Sequence, residues 1–558
     1  MDLVIIKDIN CLNTYKISFL KKKNILIFDW RAFYFLRKKK LKVIFASDLF
    51  PSQGFENIRK KNDLKVKRII RFLNENLHLN NNFFKKKKWY FYDNFFLEIK
   101  GIIDTCHYVN LIITKVFKKF KIKKVYYIGY PNNYSLSLNN KFYSLVDFVI
   151  ENNKDFSNAE RFVENVKIKN NQNNIINKIK NLVSYNKNLI KFLLFLSLPI
   201  LKKEKLFVLF SKNDLFKNYS DLYFISHFLP ILKIGNYKLK KNKNIFIHNN
   251  LNLESVLRKF IYEKSKVIFS CMFFYQLYKF KIKNFKIVFF KYCRGDHPIF
   301  VLLKQICDEL KIKYCSWSHG FHGITKTNHG WEYTDFRNVK HIGVCSELEN
   351  KKKFKTNKFY NVGLISENYN LQKLTKKKTI LLIAGYGILN NNFYYAYNRK
   401  GVFDCLGEDT VQLIELLSSY SKKYNIIFKD YPFHEYYKNI VSKIGKGKIE
   451  YISNQENIGH LLAKSDLNIF LYASNTFADS LHYRADSFIL EPDLGKNFNT
   501  KYLKPFGINF YKNITSIKKA IHNKLNKNIF HNCKKNELVE KYFTNVKKYE
   551  SFVKKLKK

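Results

Sequence analysis

Short apolar runs alternate with longer amphipathic stretches along most of this chain. VIIKDIN and NILIFDW near the start are β-branched runs separated by a helical stretch, and KVIFASDLF adds a third. Long Lys-rich segments over about 54–80 and 93–122 carry helical spacing, and KVYYIGYPNN at 124–133 then predicts a strand ending in a turn. Residues 134–186 are rich in Asn and Lys and are expected to form exposed helices and loops. Strand-like runs resume at KLFVLF, NIFIHN, KVIFSCMFF and FKIVFFKYC. The helical pattern IFVLLKQICDELKI follows, then the strand KYCSWSH. From 377 to 490 the chain gives KKTILLIAGYG, IIFKDYPFHE and SDLNIFLYASNTFADSLHYRADSFIL. Each apolar run stops at small or polar residues, and a helix-compatible stretch comes next. That repeat predicts a parallel α/β sheet, whose ligands sit beyond the carboxyl ends of the strands.

Length and pattern together predict two Rossmann-like domains facing across a cleft. Residues 1–365 form the first, with helical insertions at about 50–122 and 134–205. A polar linker covers 366–378, a second α/β domain 379–530, and a basic C-terminal helix 531–558. This tail has Leu538, Tyr542, Val546 and Phe552 at helical spacing; it packs back on the first domain or lies on a membrane.

Charge modifies the picture less than its size suggests. The net charge is +57, yet of 101 basic residues only eleven are Arg, and Asn, Ile, Phe and Tyr are also in excess. A drift acting on every surface explains this better than a dedicated nucleic-acid interface, which relies on Arg for bidentate contacts. A Lys-coated surface still attracts anionic partners, including acidic lipid headgroups and sugar phosphates. Nine scattered cysteines without a CxxC pair fit reduced thiols in a cytoplasmic protein. No signal peptide is expected from MDLVIIKDIN. The apolar stretch 189–201 is too short to span a bilayer; it is a core helix or an in-plane anchor flanked by Lys187, Lys202, Lys203 and Lys205.

Candidate chemistry clusters at the strand ends. CSWSHGFHG places His319, Gly320 and His322 where a strand stops, followed by a polar run containing Glu332 and Arg337. An imidazole there suits a general base; ligation of a metal by His319, His322 and His329 is the weaker reading. Arg294 and Asp296 end another strand and suit a phosphate and an acceptor hydroxyl, or simply pair with each other. Gly385, Tyr386 and Gly387 follow TILLIA, where backbone N–H groups are free to face an anion. Gly407, Glu408 and Asp409 precede the helical run TVQLIELLSSYSKKY, which Asp409 is placed to cap. Lys429, Tyr431 and Pro432 end NIIF, with Lys429 either neutralising a phosphate or facing solvent. Ser474, Asn475 and Thr476 open a helix with Asp479 one turn in, serving an anion or acting as ordinary caps.

This order of motifs resembles the GT-B glycosyltransferases of capsule and surface polysaccharide synthesis, over roughly residues 285–495. Ser318-His319-Gly320 is similar to that family's Gln-His-Gly motif, and Val362-Gly363 to its Val-Gly motif. Lys429-Asp430-Tyr431-Pro432 resembles Lys-x-His-Pro, and 474–479 resembles its Ser/Thr-rich loop. Ser318 stands where Gln is usual and Tyr431 where His is usual. The resemblance implies a metal-independent enzyme without a cofactor that moves a sugar from a nucleotide-activated donor to a surface or capsular glycan. The donor would bind through Gly385, Tyr386, Gly387, Lys429, Tyr431, Pro432, Ser474, Asn475, Thr476 and Asp479. His319, with Asp296 second, would serve as base, and Arg294, Gly320, His322, Glu332 and Arg337 would meet the acceptor. Its implied place is the cytoplasm, beside an anionic inner membrane face holding lipid-linked acceptor. The alternatives are a degenerate, non-catalytic member of a polysaccharide locus and a nucleotide-sugar epimerase on the same fold.

Overall fold

Alternation along Asp2–Ile6 (β1) sets the plan of the N-terminal part: Leu3 and Ile5 enter one core, Val4 and Ile6 another. The structure, a computed structural model, describes residues 1–7, 9–49, 52–129, 141–153, 160–165, 186, 189–190, 206–209, 222–225, 229, 231, 243–248, 251–290, 298–317, 339–344, 358–363, 377–384, 407–430, 437–452, 456, 458–471, 476, 480, 485–490, 508–530 and 546–558. β1 joins Asn24–Ile27 (β2), Val43–Phe45 (β3), Lys124–Gly129 (β4) and Glu160–Asn165 (β5) in a sheet of order β3-β2-β1-β4-β5, every pairing parallel. One face packs on the helices Ser52–Asn80 and Phe96–Lys119 through Val66, Ile69, Ile103 and Val109. The other packs on shorter helices through Leu12, Leu20 and Leu36. Burial on both faces is why these strands read as unbroken apolar runs.

A second parallel sheet follows. It contains Leu206–Leu209 (β6) and Leu222–Ile225 (β7). After a short antiparallel pair, Ile247–His248 (β8) and Leu251–Asn252 (β9), it adds Ile287–Phe290 (β10), Lys313–Trp317 (β11), His341–Val344 (β12) and Lys358–Asn361 (β13). The order is β13-β12-β11-β10-β6-β7. The third sheet takes Thr379–Ile383 (β14), Asn425–Lys429 (β15), Glu450–Ile452 (β16), Leu467–Phe470 (β17), Asp486–Leu490 (β18) and Ile508–Tyr511 (β19). Its order is β16-β15-β14-β17-β18-β19, again wholly parallel.

The α/β class with parallel sheets and covering helices is as the sequence implies. Four details differ. NIFIHN, expected as a strand, begins in the helix Lys243–Phe246 and is extended only at Ile247–His248. Residues 1–365 hold two parallel sheets where one Rossmann-like unit is expected, because the described strands up to Asn165 pair only among themselves, as do those from Leu206 to Asn361. Within that stretch, the helix Lys141–Asn152 buries Val146, Phe148, Val149 and Ile150 instead of lying exposed. The run KVIFSCMFF lies inside the helix Glu254–Ile282, which no Gly or Pro interrupts. That helix buries Phe260, Ile268, Tyr275 and Tyr278 on several sides, so its β-branched centre mimics a strand in the sequence.

The Glu254–Ile282 helix also joins the first two units. Lys264 meets Glu98 at 2.8 Å, and Lys279 and Lys87 both reach Glu309, at 2.6 and 2.7 Å. Glu309 belongs to the helix Pro298–Leu310, which packs on the second sheet. The C-terminal helix Val546–Lys557 returns to the second sheet, burying Tyr549, Phe552 and Leu556 against Ile287, Cys315 and Val362. Phe552 meets the Tyr360 ring edge-on at 5.1 Å, and Lys313 donates to the Leu556 carbonyl at 2.8 Å. Of the two placements expected for this tail, packing on the preceding part of the chain is the one observed. Of the 189–201 stretch only Leu189 and Ile190 are described. Among the described residues no helix is long and apolar enough to cross a membrane.

Candidate functional site

In a parallel sheet the strand order reverses at one point, and the two strands there send their connections to opposite faces. A crevice opens between their carboxyl ends. In the third sheet that point lies between β14 and β17. Ile383 at the end of β14 is paired with Phe470 on one side and with Lys429 on the other. The ladder continues past the strand ends, with Ala384 N–H donating to the Lys429 carbonyl at 2.9 Å and Leu471 N–H to the Ile383 carbonyl at 3.2 Å. Thus the segments containing Gly385–Gly387, Lys429–Pro432 and Ser474–Thr476, separate in sequence, leave three adjacent strands at one edge.

Lys429 is a buried side chain at this edge. It is 3 % exposed, unlike the surface lysines that dominate this chain. Burial pulls its pKa below the ordinary lysine value, while Asp430 and then Glu456 act in the opposite direction. Asp430, 1 % exposed, accepts the Tyr437 N–H at 2.9 Å and the Tyr451 hydroxyl at 2.8 Å. Those bonds tie the residue after β15 to the start of the helix Lys438–Gly445 and to β16. Asp430 is named in the sequence motif but given no role; its position directly after a buried strand-end lysine was the available signal. Thr476 is helical and half-buried. Gly385, Tyr386, Gly387, Tyr431, Pro432, Ser474, Asn475 and Asp479 lie outside the described residues.

The expected cap at Asp409 lies inside the helix Gly407–Ser419, in its first turn. Burial first, and Glu408 second, raise its pKa to about 6. Glu408 approaches Arg37, of the helix Trp30–Lys38, at 3.9 Å, and both are exposed, so this link between the first and third units adds little stability.

In the second sheet, two strands that precede candidate residues in the sequence are neighbours. Phe290 at the end of β10 pairs with Ser316 near the end of β11, so the segments carrying Arg294 and Asp296 and carrying His319, Gly320 and His322 leave neighbouring strands. Those five residues, with Glu332 and Arg337, lie outside the described residues. The reversal in this sheet falls between β6 and β10, beside the same edge.

The first sheet is different. Its reversal lies between β1 and β4, and Lys7, just past β1, is fully buried there. Lys7 forms an ion pair with Asp147, also buried, from the helix that follows β4. An internal pair therefore stands at the reversal of the first sheet, whereas Lys429 ends the strand beside the reversal of the third. The sequence reading gave Lys7 no role, and no motif marks it.

No protein-family model matches the sequence, and no curated protein matches it. Solved structures align over part of the chain. The UDP-GlcNAc 2-epimerase of Neisseria meningitidis bound to UDP-GlcNAc aligns at 10 % identity and TM-score 0.38, over 64 % of this chain and 100 % of that one. The wall teichoic acid polymerase TagF aligns at 14 % identity and TM-score 0.35, over 69 % and 97 %. A glycosyltransferase from Rickettsia africae aligns at 12 % and 0.35, over 52 % and 82 %.

Proposed function

We propose that this protein is a glycosyltransferase moving a sugar, or a sugar-like phosphate-linked group, from a nucleotide-activated donor to a surface or capsular glycan. The observation carrying this reading is Lys429, a buried ammonium at the carboxyl edge of the third sheet, one strand from its reversal point. A buried cation beside strand ends and helix starts suits the charge that develops on a departing nucleotide phosphate. Gly385, Tyr386, Gly387, Tyr431, Pro432, Ser474, Asn475, Thr476 and Asp479 complete the donor site in this reading. His319 takes the proton of the acceptor hydroxyl, with Asp296 as the second choice of base. Arg294, Gly320, His322, Glu332 and Arg337 hold the acceptor. The Gln-His-Gly and Lys-x-His-Pro resemblances support these assignments, and no Asp-x-Asp motif in the sequence calls for a bound metal at this step. In this reading the enzyme is cytoplasmic, and its Lys-rich surface holds it beside an anionic inner membrane face.

Thermal denaturation with a panel of CMP-, CDP-, UDP- and GDP-linked sugars tests the reading, since a ligand of the native state raises apparent stability by mass action. One nucleotide class is expected to stabilise the protein, and labelled donor is expected to appear in a glycan product. Stabilisation by none of them would remove the donor site. Release of free isomerised sugar would favour the epimerase reading.

A further inference from the structure

The helix Glu254–Ile282 is covered on several sides, and the side it leaves open is a line of aromatic rings. Tyr262, Phe273 and Phe280 are 54, 69 and 45 % exposed, with Lys266 and Phe269 half-buried between them. Steps of 4, 3, 4 and 7 residues keep all five on one side of the helix. At the usual rise per residue the line is about 27 Å long. Exposed aromatics scattered singly need no explanation, but a row of them along one ridge marks a place of contact.

Lysines lie over these rings. The Lys266 ammonium is 5.1 Å from the Tyr262 centroid, and that of Lys283, just past the helix, is 4.4 Å from the Phe280 centroid. The two acids of the helix stand toward its start, where Glu254 is bonded to Arg258 and Glu263 acts on Lys259. From Lys264 onward the helix carries four lysines and no acid; Lys264 and Lys279 are paired with Glu98 and Glu309, from neighbouring elements. The open ridge is therefore apolar along its centre and positive at its sides.

Sign and shape choose the occupant. A second copy of this chain would bring one molecule of net charge +57 against another, with lysine facing lysine along the ridge. A flat anionic surface has the opposite sign and reaches every ring of a straight ridge at once. At a bilayer, Phe and Tyr rings enter the headgroup layer, while Lys stems lie along the apolar surface and carry their charges out to lipid phosphates.

We infer that this face docks the protein on an anionic lipid bilayer, with Tyr262, Phe269, Phe273 and Phe280 entering the interface and Lys266 and Lys283 meeting headgroup phosphates. The face supplies the membrane contact that the proposed function assumes, and rests on that reading. Vesicle binding needs neither donor nor acceptor, so a failure to dock and a failure to transfer sugar are separate results.

Co-sedimentation of the full-length protein with phosphatidylcholine vesicles, plain or containing about one-third phosphatidylglycerol, tests the face. A chain of this charge adsorbs to anionic vesicles through any side, so the rings decide. Wild type should bind the mixed vesicles and keep part of that binding at about 500 mM salt, where charge alone is screened. Phe273→Ser with Phe280→Ser should weaken the partition at least tenfold at low and high salt, because apolar area is withdrawn from the interface. Ile529→Ser, at a likewise exposed apolar position in the third unit, should bind as wild type does. No binding by wild type, or equal partition of wild type and the double Ser variant, overturns the proposal. So does a lipid-free wild-type dimer that the double variant dissociates, by sedimentation velocity. Should the variant not fold, a photoactivatable phosphatidylglycerol decides the matter on wild type. Crosslinks within 262–280 support the face; crosslinks confined to other segments refute it.

Discussion

Lys429 and Lys7 show how little a residue's type says about its role in a chain with 101 basic residues. Both end a buried strand beside or at a reversal of strand order, and both are buried. Lys7 is paired with Asp147; the charges acting on Lys429 include Glu456 and Asp430, and Asp430 is also bonded to Tyr437 and Tyr451. Lys429→Met should weaken binding of whichever panel nucleotide stabilises the protein at least tenfold, by calorimetry. Unchanged affinity would remove Lys429 from the donor site. The imidazoles of His107, buried, and His248, half-buried, each bonded to Asn62 Oδ1, make a second prediction. Their pKa values are held near 4, below the 6.5 of the unfolded chain, so the unfolded state binds protons that the native state refuses. The protein should be fully stabilised by this effect above pH 6.5 and lose it progressively toward pH 4. The loss should be about 2 kcal/mol for the pair after allowance for partial exposure. Acid unfolding of wild type against His107→Asn with His248→Gln measures it; parallel pH profiles would show that these groups do not contribute. None of this was legible in the sequence, since Asn62, His107 and His248 are far apart in the chain and carry no motif.

Elements were more legible than their assembly. The strands at TILLI and LNIF were plain in the sequence because burial on both faces leaves an uninterrupted apolar run. The same logic failed at KVIFSCMFF, where a helix covered on several sides produces an equally apolar run. Only the length of the segment, free of Gly and Pro from 254 to 282, separates the two cases. The C-terminal helix was legible as amphipathic, but its partner was not, because spacing shows a face and never what covers it. Phe552→Ala should cost about 3 kcal/mol through the cavity left against Tyr360. Hydrogen exchange should then rise in 546–557 and in β13 together while the third sheet keeps its protection. Faster exchange in the third sheet alone would mean that the helix stabilises a different unit.

At the scale of the whole molecule, the described strands form three parallel sheets, two of them within residues 1–365, and Lys429 stands at the carboxyl edge of the third. The grouping of strand ends follows from strand order, which the sequence does not reveal. What the sequence did supply was the set of strand ends, and these are the positions that order brings together. The net charge of +57 bears on association rather than on fold. Retention on heparin, and affinity for any DNA duplex, should fall steeply between 50 and 500 mM salt, and added nucleotide sugars should leave duplex affinity unchanged. Duplex binding that discriminates sequence and persists at high salt would contradict the assignment of these lysines to a general surface. The return of residues 546–557 to the second sheet carries a consequence for biosynthesis. The floor formed by Ile287, Cys315 and Val362 is made long before the helix that covers it, and the entire third sheet is translated in between. At usual ribosomal speeds that patch stays uncovered for roughly ten to forty seconds. The second unit therefore closes last, and the nascent chain offers chaperones a defined greasy surface while it waits.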